Sequence, residues 1–377
     1  MVAAVPPGGN WKDIPVSIPS KRLDQIRSSY AAGLGSRSTY YGRLHPDKPA
    51  YTISTYFSRP GNGAHIHYEQ ARVISSREAA RLQSFPDSFA FHGSDTAVRR
   101  QIGNAVPPLL AFALAQGWGK PGLCLDLFSG AGGLSLGFHW QNWKSILASD
   151  IDRDALATYS SNFSSPTVLG DIRSASVQSD IVALTLEARK KSDNLPFLLL
   201  GGPPCQGYST AGNRRSMDDN RNHLFNEYAA LLHKTQPDGF LFENVPGLLS
   251  MQKGIVLNDI IESLSAVGYR VEKFLLDADE YGVPQRRKRL ILAGAKSNDV
   301  SFAMPEPPTP RNSSLNFVGP SVSDALSDLP TIISGQDGSD FEYRSSPVGG
   351  YQHFLRNRIS AADFIASYLD EARELAA

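Results

Sequence analysis

Residues 123–138, LCLDLFSGAGGLSLGF, constrain the fold of this chain more than any other stretch. Leu123–Phe128 is a short apolar run, as a strand buried on both faces would be. Gly130, Gly132 and Gly133 interrupt it, and a helical pattern follows. Strand, glycine turn and helix open a nucleotide-type α/β fold. About twenty residues on, SILASD is a second apolar run ending in Asp150, where an acidic side chain is placed to bind ribose hydroxyls. TVLGDI follows, ending at Asp171 and Ile172, and then PFLLLGGPPCQGYS, DGFLFENVPG, YRVEKFLLDADEYGVPQRRKR and LILAGA. Helical stretches such as 222–235 and 256–267 separate these runs. The alternation predicts a doubly wound, mostly parallel sheet. The turn itself reads F-S-G-A-G-G rather than G-x-G-x-x-G, so a tight strand-to-helix turn is enough to explain it alone. Phe128 either stacks on an adenine or packs in the core.

The flanks read differently. Residues 1–70 and 301–350 are rich in Gly, Pro, Ser and Asp and predict loops and short strands. GWGKPG, 117–122, has the composition of a linker. Residues 107–115 read as an apolar helix docked on the sheet. Residues 360–375 read as an amphipathic helix with Ser360 as its N-cap. The 377 residues carry 37 Lys+Arg and 37 Asp+Glu, and 41% are hydrophobic. That balance excludes a disordered chain, a fibre and a coiled coil. No run of about 18 apolar residues is present, which excludes a membrane helix. Two cysteines, Cys124 and Cys205, and no visible signal segment suggest a reduced, cytoplasmic protein. The neutral total hides a split: residues 1–120 hold 14 basic and 7 acidic side chains, against 23 and 30 in the remainder. A basic N-terminal third is suited to a polyanion.

Three loops carry chemistry. Cys205 sits in GGPPCQGYS, where two glycines and two prolines stiffen a turn at a strand end, the place where open α/β sheets bind ligands. A thiol there is a candidate nucleophile. Cys124, inside an apolar strand, reads as a small buried residue. Glu243, in FLFENVPG, ends another apolar strand and is either a general acid or a capping or surface carboxylate. Gln285, Arg287 and Arg289 lead into a further strand and alone would read as a solvated basic edge.

Together these segments resemble the DNA (cytosine-5) methyltransferase family. DLFSGAGGLSLGF is similar to its cofactor loop, GGPPCQGYS to its nucleophile loop, and FENVPG and QRRKR to its next two catalytic motifs. ISSREAARLQSFPDSFAFHGS, 74–94, and RQIGNAVPPLLA, 100–111, resemble the two motifs that normally close such a chain. Here they precede the cofactor loop, so the resemblance is to a circularly permuted member. Rejoined, EARELAA leads into VPPGGNWKDIP. The implied fold is that of class I S-adenosylmethionine-dependent methyltransferases with a smaller, loop-rich DNA-recognition domain. The implied division is 1–73 and 301–377 as parts of the target-recognition region, 74–116 as the displaced closing motifs, and 117–300 as the catalytic domain.

The resemblance also implies roles. Cys205 adds to C6 of a cytosine flipped out of double-stranded DNA, Glu243 serves its N3 and N4 edge, Arg289 holds O2, and Arg287 orients the nucleophile loop. S-adenosyl-L-methionine lies against Phe128, Gly130 and Gly132. Asp150 with Ile151 serves its ribose, and Asp171 and Ile172 its adenine edge. Pro203, Leu224, Asn104 and Ala105 complete the pocket, with Asp126 contacting the methionine end less directly. Gln206, Ser209, Arg37, Arg43 and Arg99 are expected at DNA, with Arg59, Arg72, Arg77, Arg81 and Arg100 in the same basic third; Arg81 is equally placed to pair within the fold. No metal is expected. A monomer is expected, serving as the modification enzyme of a restriction–modification system with a separately encoded endonuclease. An amino-directed DNA methyltransferase fits less well, because cysteine follows Pro204. A tRNA cytosine-5 methyltransferase is the other alternative, although Gln206-Gly207-Tyr208-Ser209 departs from its Pro-Phe-Thr pattern. A dead DNA-binding module conflicts with the intact motifs, and a dinucleotide oxidoreductase gives the PPCQ loop no role.

Overall fold

The computed structural model describes residues 1–35, 39–192, 195–204, 224–296, 300–308, 319–336, 338 and 340–376. Seven strands form the central sheet: β1 (Leu123–Leu127), β2 (Lys144–Asp150), β3 (Thr167–Leu169), β4 (Phe197–Gly201), β5 (Gly239–Asn244), β6 (Arg270–Asp277) and β7 (Lys288–Ala295). Their order is β3-β2-β1-β4-β5-β7-β6, and only β7 runs antiparallel to its neighbours. The mostly parallel sheet expected from the apolar runs is present. β1, β4 and β5 are buried along their whole length, which is why their sequences are nearly unbroken apolar runs. Strand order reverses between β1 and β4, so a crevice opens beyond the ends of those strands.

The helices are α1 (Lys21–Ala31), α2 (Ser76–Leu82), α3 (Asp95–Asn104), α4 (Pro108–Gln116), α5 (Gly133–Trp140), α6 (Arg153–Asn162), α7 (Ala175–Lys190), α8 (Leu224–Thr235), α9 (Ile255–Ala266), α10 (Val322–Leu326), α11 (Gly350–Leu355) and α12 (Ala361–Ala376). Their starts follow local chemistry. Ser75 and Glu78 form a capping box on α2, Asp152 caps α6, and the Ser360 hydroxyl accepts from the Asp363 N–H at the start of α12. α4 buries eight of its nine residues, as its all-round apolar sequence requires, and packs on α5.

Side chains alternate across the sheet. Leu123, Leu125, Leu199 and Phe240 face a core with α8 and α9. Cys124, Leu198, Leu200 and Leu241 face a second core that gathers α2, α4, α11 and Phe364 of α12. Cys124 is buried, as its strand context predicts.

Segments from the two flanks meet on this second side. The Val322 and Ser323 N–H groups donate to the Lys48 and Pro46 carbonyls, and the Asp87 N–H donates to the Leu355 carbonyl. Arg81, with no exposed surface, donates to Asp87 at 2.5 Å and to Asp328 at 2.5 Å. The N-terminal flank differs from the sequence reading. Residues 1–70 contain the eleven-residue helix α1, whose Leu23 and Ile26 join Trp11, Ile14 and Tyr41 in a small separate core. Composition hid it, because only one narrow stripe of α1 is apolar.

Candidate active site

A cavity of about 1030 Å³ opens beyond the ends of β1, β2, β4 and β5. On one side lies the glycine turn. Phe128 adopts a left-handed backbone, with φ of 56°, an unusual state for a bulky residue and one that clusters at ligand sites. Gly132, at φ 93°, then starts α5, and a Cβ there would also meet the Phe163 ring at 2.5 Å. The Gly130 N–H donates to Asp150 at 2.8 Å and the Asp152 N–H to its other oxygen at 2.9 Å. Burial raises the Asp150 pKa against those bonds. Against about four lone pairs, these bonds and one from the Ile151 N–H leave the carboxylate with acceptor capacity for a ligand hydroxyl. Ser129, which the sequence reading passed over, lines the same cavity with a buried hydroxyl that has no hydrogen-bond partner among the described residues. An orphaned hydroxyl beside an under-bonded carboxylate fits a polar nucleoside ligand; its only sequence signal is its place inside the glycine turn.

The opposite wall carries the second set. Gly202, Pro203 and Pro204 continue from β4, and a side chain at Gly202 would press on the Glu243 carboxylate at 2.9 Å. Glu243 ends β5 and pairs with the Arg289 Nε at 2.6 Å. Burial lowers the Arg289 pKa, opposed by Glu243. Asn244 donates to the Pro203 carbonyl at 3.0 Å and so fixes the segment that continues from β4. Cys205, Gln206 and Ser209 lie outside the described residues.

Asn104 and Ala105 reach the cavity from the end of α3. They are held there by Arg287, whose fully buried guanidinium donates to the Gly103 carbonyl at 2.8 Å, to Ala105 at 2.9 Å and to Ile53 at 3.1 Å. These bonds tie the N-terminal third to the sheet. Gln285 does the same, accepting from the Ile53 N–H and donating to Leu82 and Gln83.

The structure brings Phe128, Gly130, Asp150, Ile151, Pro203, Asn104, Ala105, Glu243 and Arg289 to one cavity. Gly132, Asp171, Ile172 and Leu224 are not in its lining. Asp171 is engaged by Arg173, and Ile172 packs in the apolar core. The DNA-facing expectation for Arg43 is corrected: Arg43 is buried and donates to the carbonyls of Val2, Val5, His67 and Gln70. Arg72 pairs with Glu78 in the interior, and Arg77 donates to the Pro86 and Phe89 carbonyls. Arg99 is partly exposed and paired with Asp95, while Arg59 is exposed against Tyr56. Arg37 lies outside the described residues. Among the described residues no group of His, Cys, Asp or Glu is placed to hold a metal, and no helix is long and apolar enough to cross a membrane.

Sheet order, glycine turn and acidic strand end define the α/β fold of S-adenosylmethionine-dependent methyltransferases. The chain belongs to the C-5 cytosine-specific DNA methylase family, which matches residues 9–120 and 123–368. S-adenosylmethionine is the methyl donor of that family. Over 259 residues the chain is 36% identical to the Type II methyltransferase M.AgeI of Thalassovita gelatinovora, covering 62% of this chain and 57% of that one. Over 235 residues it is 36% identical to the Type II methyltransferase M.DdeI of Desulfomicrobium norvegicum, covering 62% and 54%. The chain thus spans little more than half the length of these relatives. A solved structure of a prophage-encoded E. coli protein, described as a candidate DNA modification methyltransferase, is 31% identical over 62% of this chain and 63% of that one, with a TM-score of 0.44.

Proposed function

We propose that this protein methylates C5 of a cytosine flipped out of double-stranded DNA, as the modification enzyme beside a separately encoded restriction endonuclease. The observation that carries this reading is the Glu243–Arg289 pair, set across one cavity from the Asp150 and glycine-turn wall. Two charges 2.6 Å apart satisfy each other while no base is present. A cytosine edge entering between them exchanges that pair for one bond from each, Arg289 to O2 and Glu243 to the N3 and N4 edge.

Cys205 follows Pro204 in the sequence. Its thiolate adds to C6, forming a C6–S bond and moving electron density to C5, while Glu243 favours protonation at N3. S-adenosylmethionine, when bound against Phe128, Ser129 and Asp150, supplies the methyl group. The C5 proton then leaves to a base, the C6–S bond breaks, N3 gives up the proton it gained, and the thiolate is restored. Incubation with duplex DNA and labelled donor, followed by base-resolution sequencing, should show 5-methylcytosine at a defined site. A duplex with 5-fluorocytosine there should trap a covalent adduct with the wild type and not with Cys205→Ser. Methyl groups on N4, or on tRNA alone, would overturn the reading.

We also propose that the chain is a rotated form of the family order, with 1–73 and 301–377 forming one target-recognition region. Three observations support it: the family match divides at 120 and 123, residues 322–355 bond to 46–87, and α4 docks on α5. A chain with Ala377 linked to Met1 and opened near Gly119 should methylate the same site. A folded product that methylates a different site would refute it.

A further inference from the structure

Behind the cofactor wall lies a row of hydroxyls that the proposed chemistry does not use. Asp126, on β1, lines the cavity with 1% of its surface exposed. The Ser135 hydroxyl, on α5, donates to it at 2.6 Å. The Tyr159 hydroxyl, on α6, is 2.9 Å from Ser135, and the Ser145 hydroxyl, on β2, is 2.8 Å from Tyr159. A hydroxyl has one proton to give. Ser135 gives its proton to Asp126, so Tyr159 must donate to Ser135, and Ser145 to Tyr159. Three dipoles from three elements therefore point the same way and converge on one carboxylate.

This arrangement exceeds what burying a tyrosine requires. A single backbone carbonyl would satisfy the Tyr159 hydroxyl. Here the chain ends on a group that faces the cavity, and it compensates burial that otherwise disfavours a charge there. Burial pushes the Asp126 carboxyl up to about 7; the Ser135 bond opposes this and the Asp150 charge adds to it. The other titratable groups that act on Asp126 or feel its charge are Tyr159, Tyr228 and Cys124. Burial raises all three, so they stay protonated near neutrality.

We propose that Ser135, with Tyr159 and Ser145 behind it, is a positioning device that aims the Asp126 carboxylate at the cationic amino-acid end of the methyl donor and couples donor binding to loss of a proton. This rests on the assignment of the cavity to S-adenosylmethionine. A cation near Asp126 favours the carboxylate, so binding near pH 7 should expel a fraction of a proton.

The test is calorimetry of S-adenosylmethionine binding to the full chain, in buffers of differing ionisation enthalpy, from about pH 6 to 9. The ligand's amino group titrates in that range too, so each variant is read against the wild type. Asp126→Asn should abolish the part of the proton release that belongs to the protein. Ser135→Ala should bind about tenfold more weakly near neutral pH and regain most of the loss at the alkaline end, where Asp126 is ionised without help. Tyr159→Phe, which leaves the Ser135 bond in place, should show a smaller shift of the same sign. A loss equal at every pH would mark Ser135 as merely structural, and proton release unchanged in Asp126→Asn would refute the coupling. Binding without either signature overturns this inference and leaves the cavity assignment standing. No binding of the donor by the wild type overturns both.

Discussion

Charge is buried in two regions of this molecule, with opposite outcomes. In the N-terminal third and the segments docked on it, pairing wins at Arg81, Glu78 and Asp87, whereas burial lowers Arg43, Arg77, His65 and His67, which lack so close a set of opposite charges. Burial alone would lower the Arg81 pKa, yet the bonds and charges of Asp87 and Asp328 raise it. Burial alone would raise Glu78 and Asp87, yet Arg72 and Arg81 lower them. At the ends of the central strands, desolvation wins for the groups that line the cavity: Asp126 and Asp150 are raised, and Arg289 is lowered. Buried charge with its full set of partners is architecture. Buried charge facing a cavity with bonds still to make is a site, where stability is given up for binding.

The sharpest break of that comparison is Arg81→Ala. It leaves the wholly buried Asp328 with Arg356 as its one ion-pair partner among the described residues, and leaves Asp87 with the Tyr343 hydroxyl but without its guanidinium. Denaturant unfolding should show a loss of about 3–5 kcal/mol. A loss under about 1 kcal/mol would mean that these pairs are not structural.

Asp126→Asn should do the reverse. The folded carboxyl titrates at about 7, above the usual unfolded value near 4, so the folded state holds this proton more tightly. Wild-type stability therefore falls as pH rises through that window, and asparagine is exempt. Without ligand, the variant should be more stable than the wild type by roughly 4 kcal/mol at pH 8 and by roughly 1–1.5 kcal/mol at pH 5. Melting curves at both pH values check this, and a pH-independent difference would contradict it.

Asp150→Ala removes a carboxylate whose spare lone pairs face the cavity. The loss of charge-assisted bonds should cost roughly 1.5–3 kcal/mol of donor affinity, about ten- to a hundredfold. Unchanged affinity by calorimetry would remove Asp150 from the site.

The smallest effect belongs to Arg59→Ala. This exposed residue stacks on Tyr56, so stability should change by under about 0.5 kcal/mol. If it meets a DNA phosphate, the slope of log affinity against log salt should drop by about one. A steep slope left unchanged would move the DNA face elsewhere.

The site was more legible in the sequence than the surface was. Phe128, Gly130, Asp150, Pro203 and Glu243 each stand at or just beyond the end of an apolar run, and strand ends in a doubly wound sheet converge by topology. Asn104 and Ala105 could be placed only through the family resemblance, because nothing local in QIGNAVPP says which wall it completes. Ser129 was missed because its distinguishing property, a buried hydroxyl left unpaired, exists only once the turn is folded. Arg43 misled because a count of charge treats every arginine as exposed, while its guanidinium closes four carbonyls from distant segments.

The sequence by itself determined the sheet, its glycine turn and which strand ends carry chemistry, since apolar periodicity and turn residues act over a few neighbours. Only the tertiary structure decided which charges became scaffold and which became site. That choice depends on whether the partner that compensates burial comes from another segment of the chain, as Asp328 does for Arg81, or leaves a place for a ligand, as at Asp126 and Asp150. Partners hundreds of residues apart are set by packing, and no local pattern encodes them.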